Sequence, residues 1–282
     1  MSAPPADPVR ESAPAKVNLV LHVGPLEPGG LHRVCSLLAS IDLEDTVIVA
    51  PADRDEVVCH PPIAGPNLAA AAVRAFRDAV GGELPPLRVQ IEKRIPVAGG
   101  LGGGSADAGA VLRAANRLAG EPLDAGQLRR VAQPLGSDVP SQVDPSHALV
   151  TGTGEVVEPV TLPAMALLIV PAAEGLSTAS VYEEADRIGA TRDALDHEAV
   201  RSLIGLPLER LAPAIENDLE AAAMALRPEL VDRREALIGR AAIAARVSGS
   251  GPTVFGVFAD RGAAEAAAAG LDEHALVAEL RG

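Results

Sequence analysis

The feature that most constrains this chain is the segment RIPVAGGLGGGSADAG at positions 94–109, with five glycines among residues 99–104. So many glycines in so short a stretch fit neither a helix interior nor a strand interior, where each costs conformational entropy. They fit a backbone that must adopt positive φ and expose its N–H groups. The flanks agree: LRVQIEKRIP (87–96) alternates apolar and polar residues as a strand does, and SADAGAVLRAANRLAG (105–120) has helical spacing, with Ser105 as the expected cap and Gly120 as the stop. A strand, a glycine loop and a helix start together predict an anion site, because the first helical N–H groups are unpaired and carry the positive end of the macrodipole. A lone glycine turn packed on a helix is the structural alternative. Two other phosphate loops do not match. No Lys follows the glycines as a P-loop requires, and the glycines miss the i, i+2, i+5 spacing of dinucleotide folds.

The remaining pattern mixes strands and helices without strict alternation, which predicts α+β with antiparallel sheets. Strands are expected at 17–24, 45–51 and 165–172, a hairpin at 147–160, and two strands around a glycine turn at 245–259. Helices are expected at 67–80, capped by Asn67, and at 124–136, 179–188, 197–204, 214–242, 262–269 and 272–280. The Pro- and Ala-rich residues 1–13 read as disordered at their start. A Pro-punctuated joint at 158–164 divides the chain into domains 1–160 and 161–282.

Composition narrows the function. A net charge of −14 argues against a general nucleic-acid binder, which needs clustered cations. No apolar stretch reaches the roughly 18 residues of a membrane span, and no apolar leader opens the chain, so a cytoplasmic protein is expected. Cys35 and Cys59 have neither disulfide nor metal spacing around them and read as buried fillers. Of 24 Lys plus Arg, only Lys16 and Lys93 are lysines, which points to positions where a compact ammonium is required.

The segment PVAGGLGGGSADA resembles the phosphate loop of the GHMP kinases (galactose, homoserine, mevalonate and phosphomevalonate kinases and their relatives). Its doubled GGLGGGS form is most similar to the branch that phosphorylates 4-diphosphocytidyl-2-C-methyl-D-erythritol in the non-mevalonate route to isoprenoid precursors. Other segments share the resemblance: APAKVNLVLHVG (13–24), LGSDVPSQV (135–143), HALVTGTGEVVEPV (147–160), IENDLE (215–220) and ARVSGSGPTVFGVF (245–258). The resemblance implies an N-terminal ribosomal-protein-S5-like domain, a C-terminal ferredoxin-like domain, Mg2+ and ATP as cofactors, and no protein-held metal. It implies a small-molecule substrate with neither nucleic acid nor membrane as partner, in a monomer or homodimer.

Carried over residue by residue, it makes Lys16 the catalytic ammonium and Asp138 the catalytic carboxylate. A cation beside a carboxylate keeps it ionised, so Asp138 can accept the proton of an attacking hydroxyl while Lys16 stabilises the developing charge. ATP would meet Asn67, Pro96, Val97, Ala98, Gly99, Gly100, Leu101, Gly102, Gly103, Gly104, Ser105 and Ala106. The acceptor would meet Asn18, Leu31, His32, Thr178 and Tyr182. The chain departs from the family at GGLH (29–32), where Leu31 stands in place of an aromatic that stacks on cytosine. Tyr182, its one tyrosine, falls on the second stacking position. Lys93 and Arg94 could face either substrate. Asp107 is expected to point outward or to meet the nucleotide only through water. The SGSG turn is either a plain hairpin or a ligand contact. The alternatives within and outside the class are another GHMP kinase with a different alcohol, and a non-catalytic nucleotide-binding homologue.

Overall fold

The computed structural model describes residues 7–63, 65, 67–82, 84–172, 174–271 and 274–281. Contacts divide the chain into two units that are discontinuous in sequence. One comprises residues 1–15, 44–97 and 102–145, the other 16–43, 98–101 and 146–282. Two long strands, β1 (Val9–Leu26) and β2 (His32–Pro51), each begin in one unit and end in the other.

In the first unit β3 (Glu56–His60) is followed by α1 (Leu68–Ala79), β4 (Leu87–Glu92), α2 (Gly103–Leu118) and α3 (Ala125–Ala132). β4 pairs antiparallel with the end of β2, from Thr46↔Glu92 to Pro51↔Leu87, and parallel with β3. Asn67 caps α1 as its sequence suggests, its side chain accepting from the Ala69 N–H. The apolar face of α1, with Ala72, Val73 and the fully buried Phe76, packs on α2. α2 is rich in small residues for a reason: a Cβ on Gly109 would stand 2.4 Å from the carbonyl oxygen of Gln142. The short 3-10 turn Pro140–Gln142 therefore lies directly against the helix.

The second unit contains β5 (Ala148–Gly152), β6 (Val156–Pro159), β7 (Ala166–Val170), α4 (Thr178–Ile188), α5 (His197–Arg201), α6 (Leu208–Leu211), β8 (Glu216–Asn217), α7 (Glu220–Leu226), α8 (Glu229–Gly239), β9 (Ala244–Val247), β10 (Val254–Phe258), α9 (Arg261–Ala268) and β11 (Leu276–Glu279). β5 and β6 form the expected hairpin, with β5 antiparallel to β2 from Val34↔Gly152 to Leu38↔Ala148. β8 adds parallel to β1 at Val20↔Glu216. A separate sheet has the order β11-β7-β10-β9, all antiparallel. Its strands, in chain sequence, take the βαββαβ course of a ferredoxin-like fold. Leu168, Val247, Val254 and Phe258 from this sheet bury against Val181, Leu219, Leu230 and Leu237.

The fold class is α+β, as the pattern predicts, and several element assignments change. β1 starts at Val9 rather than Val17, because Ala13 and Ala15 are fully buried and Glu11 pairs with Arg113 and Arg117. Residues 1–6, where disorder is expected, lie outside the described residues. The helix expected at 214–242 is instead β8, α7 and α8: Asn217 bonds backbone carbonyls of Val247 and Gly249, and Pro228 interrupts the rest. The helix expected at 272–280 is strand β11 from Leu276, with residues 272–273 outside the described ones. Among the described residues no helix is long and apolar enough to cross a membrane.

Candidate functional site

The glycine segment starts where β4 ends. Helix α2 begins at Gly103, with Gly102 as its N-cap in the left-handed region (φ 71°) and no side chain capping it. Ser105, expected as the cap, lies within the first turn instead, because the glycines already carry the chain into helix geometry. Helices α1, α3, α4, α5 and α9 are capped by Asn67, Asp124, Ser177, Asp196 and Asp260. α2, like α6, α7 and α8, has no side-chain cap, which leaves the leading N–H groups of Gly103, Gly104 and Ser105 open to an anion. Ala106 is fully buried behind them. Before them, Pro96 is half-buried and Val97 is 58% exposed. Asn67 has both side-chain ends in use: the cap, and an Nδ2 donor 3.2 Å from Cys59 Sγ.

The loop tip, Ala98–Leu101, belongs to the second unit and is gripped there by the SGSG turn. Ser248 Oγ donates to the Gly100 carbonyl at 3.0 Å, the Thr253 N–H to the Gly99 carbonyl at 3.3 Å, and the Lys16 N–H to the Leu101 carbonyl at 3.0 Å. Gly100 has φ 74°, and a Cβ there would stand 2.3 Å from the Ser248 carbonyl oxygen. The two backbones approach so closely that only glycine fits.

Lys16 sits on β1 beside this tip, 5% exposed. Its ammonium donates to Asn18 Oδ1 at 2.7 Å, Asn18 Nδ2 donates to Ser36 Oγ at 2.8 Å, and Ser36 Oγ donates to the Val20 carbonyl at 2.8 Å. Residues i and i+2 share a face of a strand, so the spacing of Lys16 and Asn18 makes this contact automatic. The chain of bonds fixes where the ammonium points. Lys16 Nζ also lies 3.4 Å from where a Cβ on Gly249 would be, next to the glycine turn.

Asp138 belongs to the first unit, in the turn Gly136–Val139 between two 3-10 segments. It is half-buried, and the turn is pinned by Ser141 Oγ donating to its carbonyl at 2.8 Å.

The residues expected at the cytosine end gather in the second unit. His32 is buried; its Nδ1 lies 2.8 Å from the Gly24 carbonyl, which can only accept, so Nδ1 carries a proton. Nε2 faces Asp186 at 3.3 Å, and the Tyr182 ring lies 5.3 Å from the imidazole at 31°. Leu31, by contrast, is 53% exposed. Thr178, at the start of α4, meets Ser250 Oγ of the SGSG turn at 3.0 Å.

One cluster overturns an expectation. Asp107 does not point outward: it is 2% exposed and accepts from Lys93 Nζ at 2.7 Å, while Lys93 also donates to the fully buried Asp45 at 2.5 Å. Burial, opposed by Lys93 and reinforced by Asp45, pushes the Asp107 carboxyl up to about 7. Burial pulls Lys93 down, but the two carboxylates outweigh it and raise it. Asp45 and Ser36 escape sequence reading because their partners lie far along the chain. The rarity of lysine was the one available signal for Lys93. Burial likewise raises both thiols, Cys35 to about 11, as inert fillers require.

The GHMP kinases N terminal domain matches residues 67–146 and the GHMP kinases C terminal domain residues 193–275. The chain is 41% identical over 272 residues to 4-diphosphocytidyl-2-C-methyl-D-erythritol kinase of Anaeromyxobacter dehalogenans (strain 2CP-C), covering 93% of this chain and 85% of that one. It is 37% identical to the kinase of the same name from Gloeobacter violaceus, covering 93% and 90%. A crystal structure of 4-(cytidine 5'-diphospho)-2C-methyl-D-erythritol kinase superimposes with a TM-score of 0.79 at 32% identity, covering 97% of this chain and all of that one. Carrying both GHMP kinase domains and this level of identity along nearly its whole length, the chain belongs to the 4-diphosphocytidyl-2-C-methyl-D-erythritol kinase family of the GHMP kinases.

Proposed function

We propose that the chain transfers the γ-phosphoryl group of ATP to the 2-hydroxyl of 4-diphosphocytidyl-2-C-methyl-D-erythritol. The observation that carries this reading is the buried Lys16, its ammonium aimed by Asn18 and its backbone bonded to the tip of the phosphate loop. The uncapped start of α2 supports phosphate binding there. Asp138 takes the proton of the attacking hydroxyl, and Lys16 stabilises the charge that develops on the oxygens. Among the described residues no group of three or more His, Cys, Asp or Glu is placed to hold a metal ion. Mg2+ would arrive on the nucleotide phosphates and keep most of its waters.

The cytidine end rests on His32, whose Nδ1 is committed to Gly24 and whose Nε2, 3.3 Å from Asp186, exchanges that partner to meet the base, and on the neighbouring Tyr182 ring. Leu31 covers the base without the stacking of a ring, worth roughly 1–3 kcal/mol per base.

The test is ADP release with the cytidine substrate, homoserine and mevalonate in parallel, with Asp138→Asn alongside. The cytidine substrate should be turned over selectively, and Asp138→Asn should lose on the order of 100- to 10,000-fold in kcat. Turnover confined to a non-cytidine alcohol would sink the substrate assignment; undiminished turnover by Asp138→Asn would sink the base assignment.

A further inference from the structure

Lys93 and its two carboxylates occupy the base of the phosphate loop, within the first unit, and nothing in the reaction above uses them. The register Thr46↔Glu92 places Asp45 of β2 opposite the point where β4 ends. There Asp45 acts as a hub. Its Oδ1 accepts from the Arg94 N–H at 2.5 Å and the Ile95 N–H at 2.9 Å, and its Oδ2 accepts from Lys93 Nζ at 2.5 Å. The chain entering the loop is thereby held by three donors on one fully buried carboxylate.

The far end of the loop is held by the same ammonium. Lys93 Nζ donates to Asp107 Oδ2, and Asp107 lies four residues after Gly103, on the same face of α2 and one turn in. A Cβ on Gly103 would stand 3.0 Å from Ile95 Cγ2 and 3.4 Å from Lys93 Nζ, so the first residue of the helix packs directly on the clamped strand end. The other oxygen of Asp107 is buried with no hydrogen-bond partner among the described residues, so Lys93 is the cation that holds the carboxylate.

We propose that Asp45, Lys93 and Asp107 form a positioning clamp for ATP, in which one buried ammonium sets the separation between the strand end and the helix start that bracket the phosphate loop. The clamp also pairs the Asp107 carboxylate with Lys93, so its negative charge is offset close to the helix start that receives phosphate. A compact ammonium with three rotatable donors serves both carboxylates from a single point. Lys93 and Asp107 act through the loop backbone, as positioning residues rather than catalytic ones.

This inference rests on the ATP-dependent reading above, and its test separates the two. The binding of AMPPNP to the full chain is measured by calorimetry for wild type, Lys93→Met and Asp107→Ala, together with KM for ATP and for the cytidine substrate. Misplacing a binding group by about 1 Å can cost on the order of 100-fold. Each variant should bind AMPPNP at least ~10-fold more weakly and raise KM for ATP in step, with KM for the cytidine substrate held within about twofold. Lys93→Met leaves two buried carboxylates unpaired and is the variant more exposed to misfolding. Asp107→Ala keeps the Lys93–Asp45 pair and leaves no orphaned charge. A folded variant that binds AMPPNP as wild type does overturns the clamp, as does an equal rise in KM for both substrates. Failure of the wild-type chain to bind AMPPNP overturns the ATP reading and the clamp with it.

Discussion

Replacing Gly100 by Ala tests whether the loop tip is held by backbone contact. Two costs separate cleanly. Residue 100 has φ 74°, where an L side chain costs about 1–2 kcal/mol. The new Cβ would also stand 2.3 Å from the Ser248 carbonyl oxygen, 2.9 Å from that of Gly251 and 3.0 Å from the Gly251 nitrogen, all of them backbone atoms that cannot rotate away. Relief needs a shift of about 1 Å, enough to break the Ser248 Oγ–Gly100 and Thr253 N–Gly99 hydrogen bonds, each worth about 0.5–1.5 kcal/mol. The expected loss is about 3–4 kcal/mol, or roughly 10 °C in Tm for a chain of this size. Gly30→Ala is the internal control: φ is 78° and nothing lies within 4 Å of its Cβ, so it carries only the first cost. Urea unfolding followed by circular dichroism compares the two. Equal losses in the two variants would refute the close-approach argument and leave only a preference for positive φ.

Asp107 should make stability pH-dependent. Its folded pKa, about 7, lies above the ordinary carboxyl value, so the folded state holds this proton more tightly than the unfolded chain. That contribution is complete below the unfolded value and fades as pH rises through about 7. Asp107→Asn abolishes the titration, so its stability relative to wild type should climb between about pH 4 and pH 7 in urea unfolding and level off above; a difference that stays flat throughout would contradict the buried-carboxyl reading. Asn18→Leu removes the acceptor that aims Lys16 and the donor to Ser36. Its kcat should fall on the order of 10- to 100-fold with AMPPNP affinity kept, and an unchanged kcat would show that Lys16 is aimed by something else.

What could be read from the sequence was what local chemistry dictates. The glycine run between a strand and a helix fixes a loop of positive φ and an open helix start, because only glycine takes that backbone without strain. The Asn67 cap, the β5–β6 and β9–β10 hairpins and the Lys16–Asn18 alternation follow from neighbours a few residues apart. Tertiary structure decided what depends on partners far away. β11 reads as helix because its short apolar run fits either state, and only pairing with β7 makes it a strand. Ser36 supports Asn18 from 18 residues away, and Asp45 reaches Lys93 from 48. Asp107 looked like an awkward charge at an anion site, since no local pattern shows that a lysine fourteen residues earlier is folded back onto it. Long-range electrostatic pairing leaves no period in a sequence. The glycine segment therefore announced an anion site, while the means of holding its two ends came into view only with the fold.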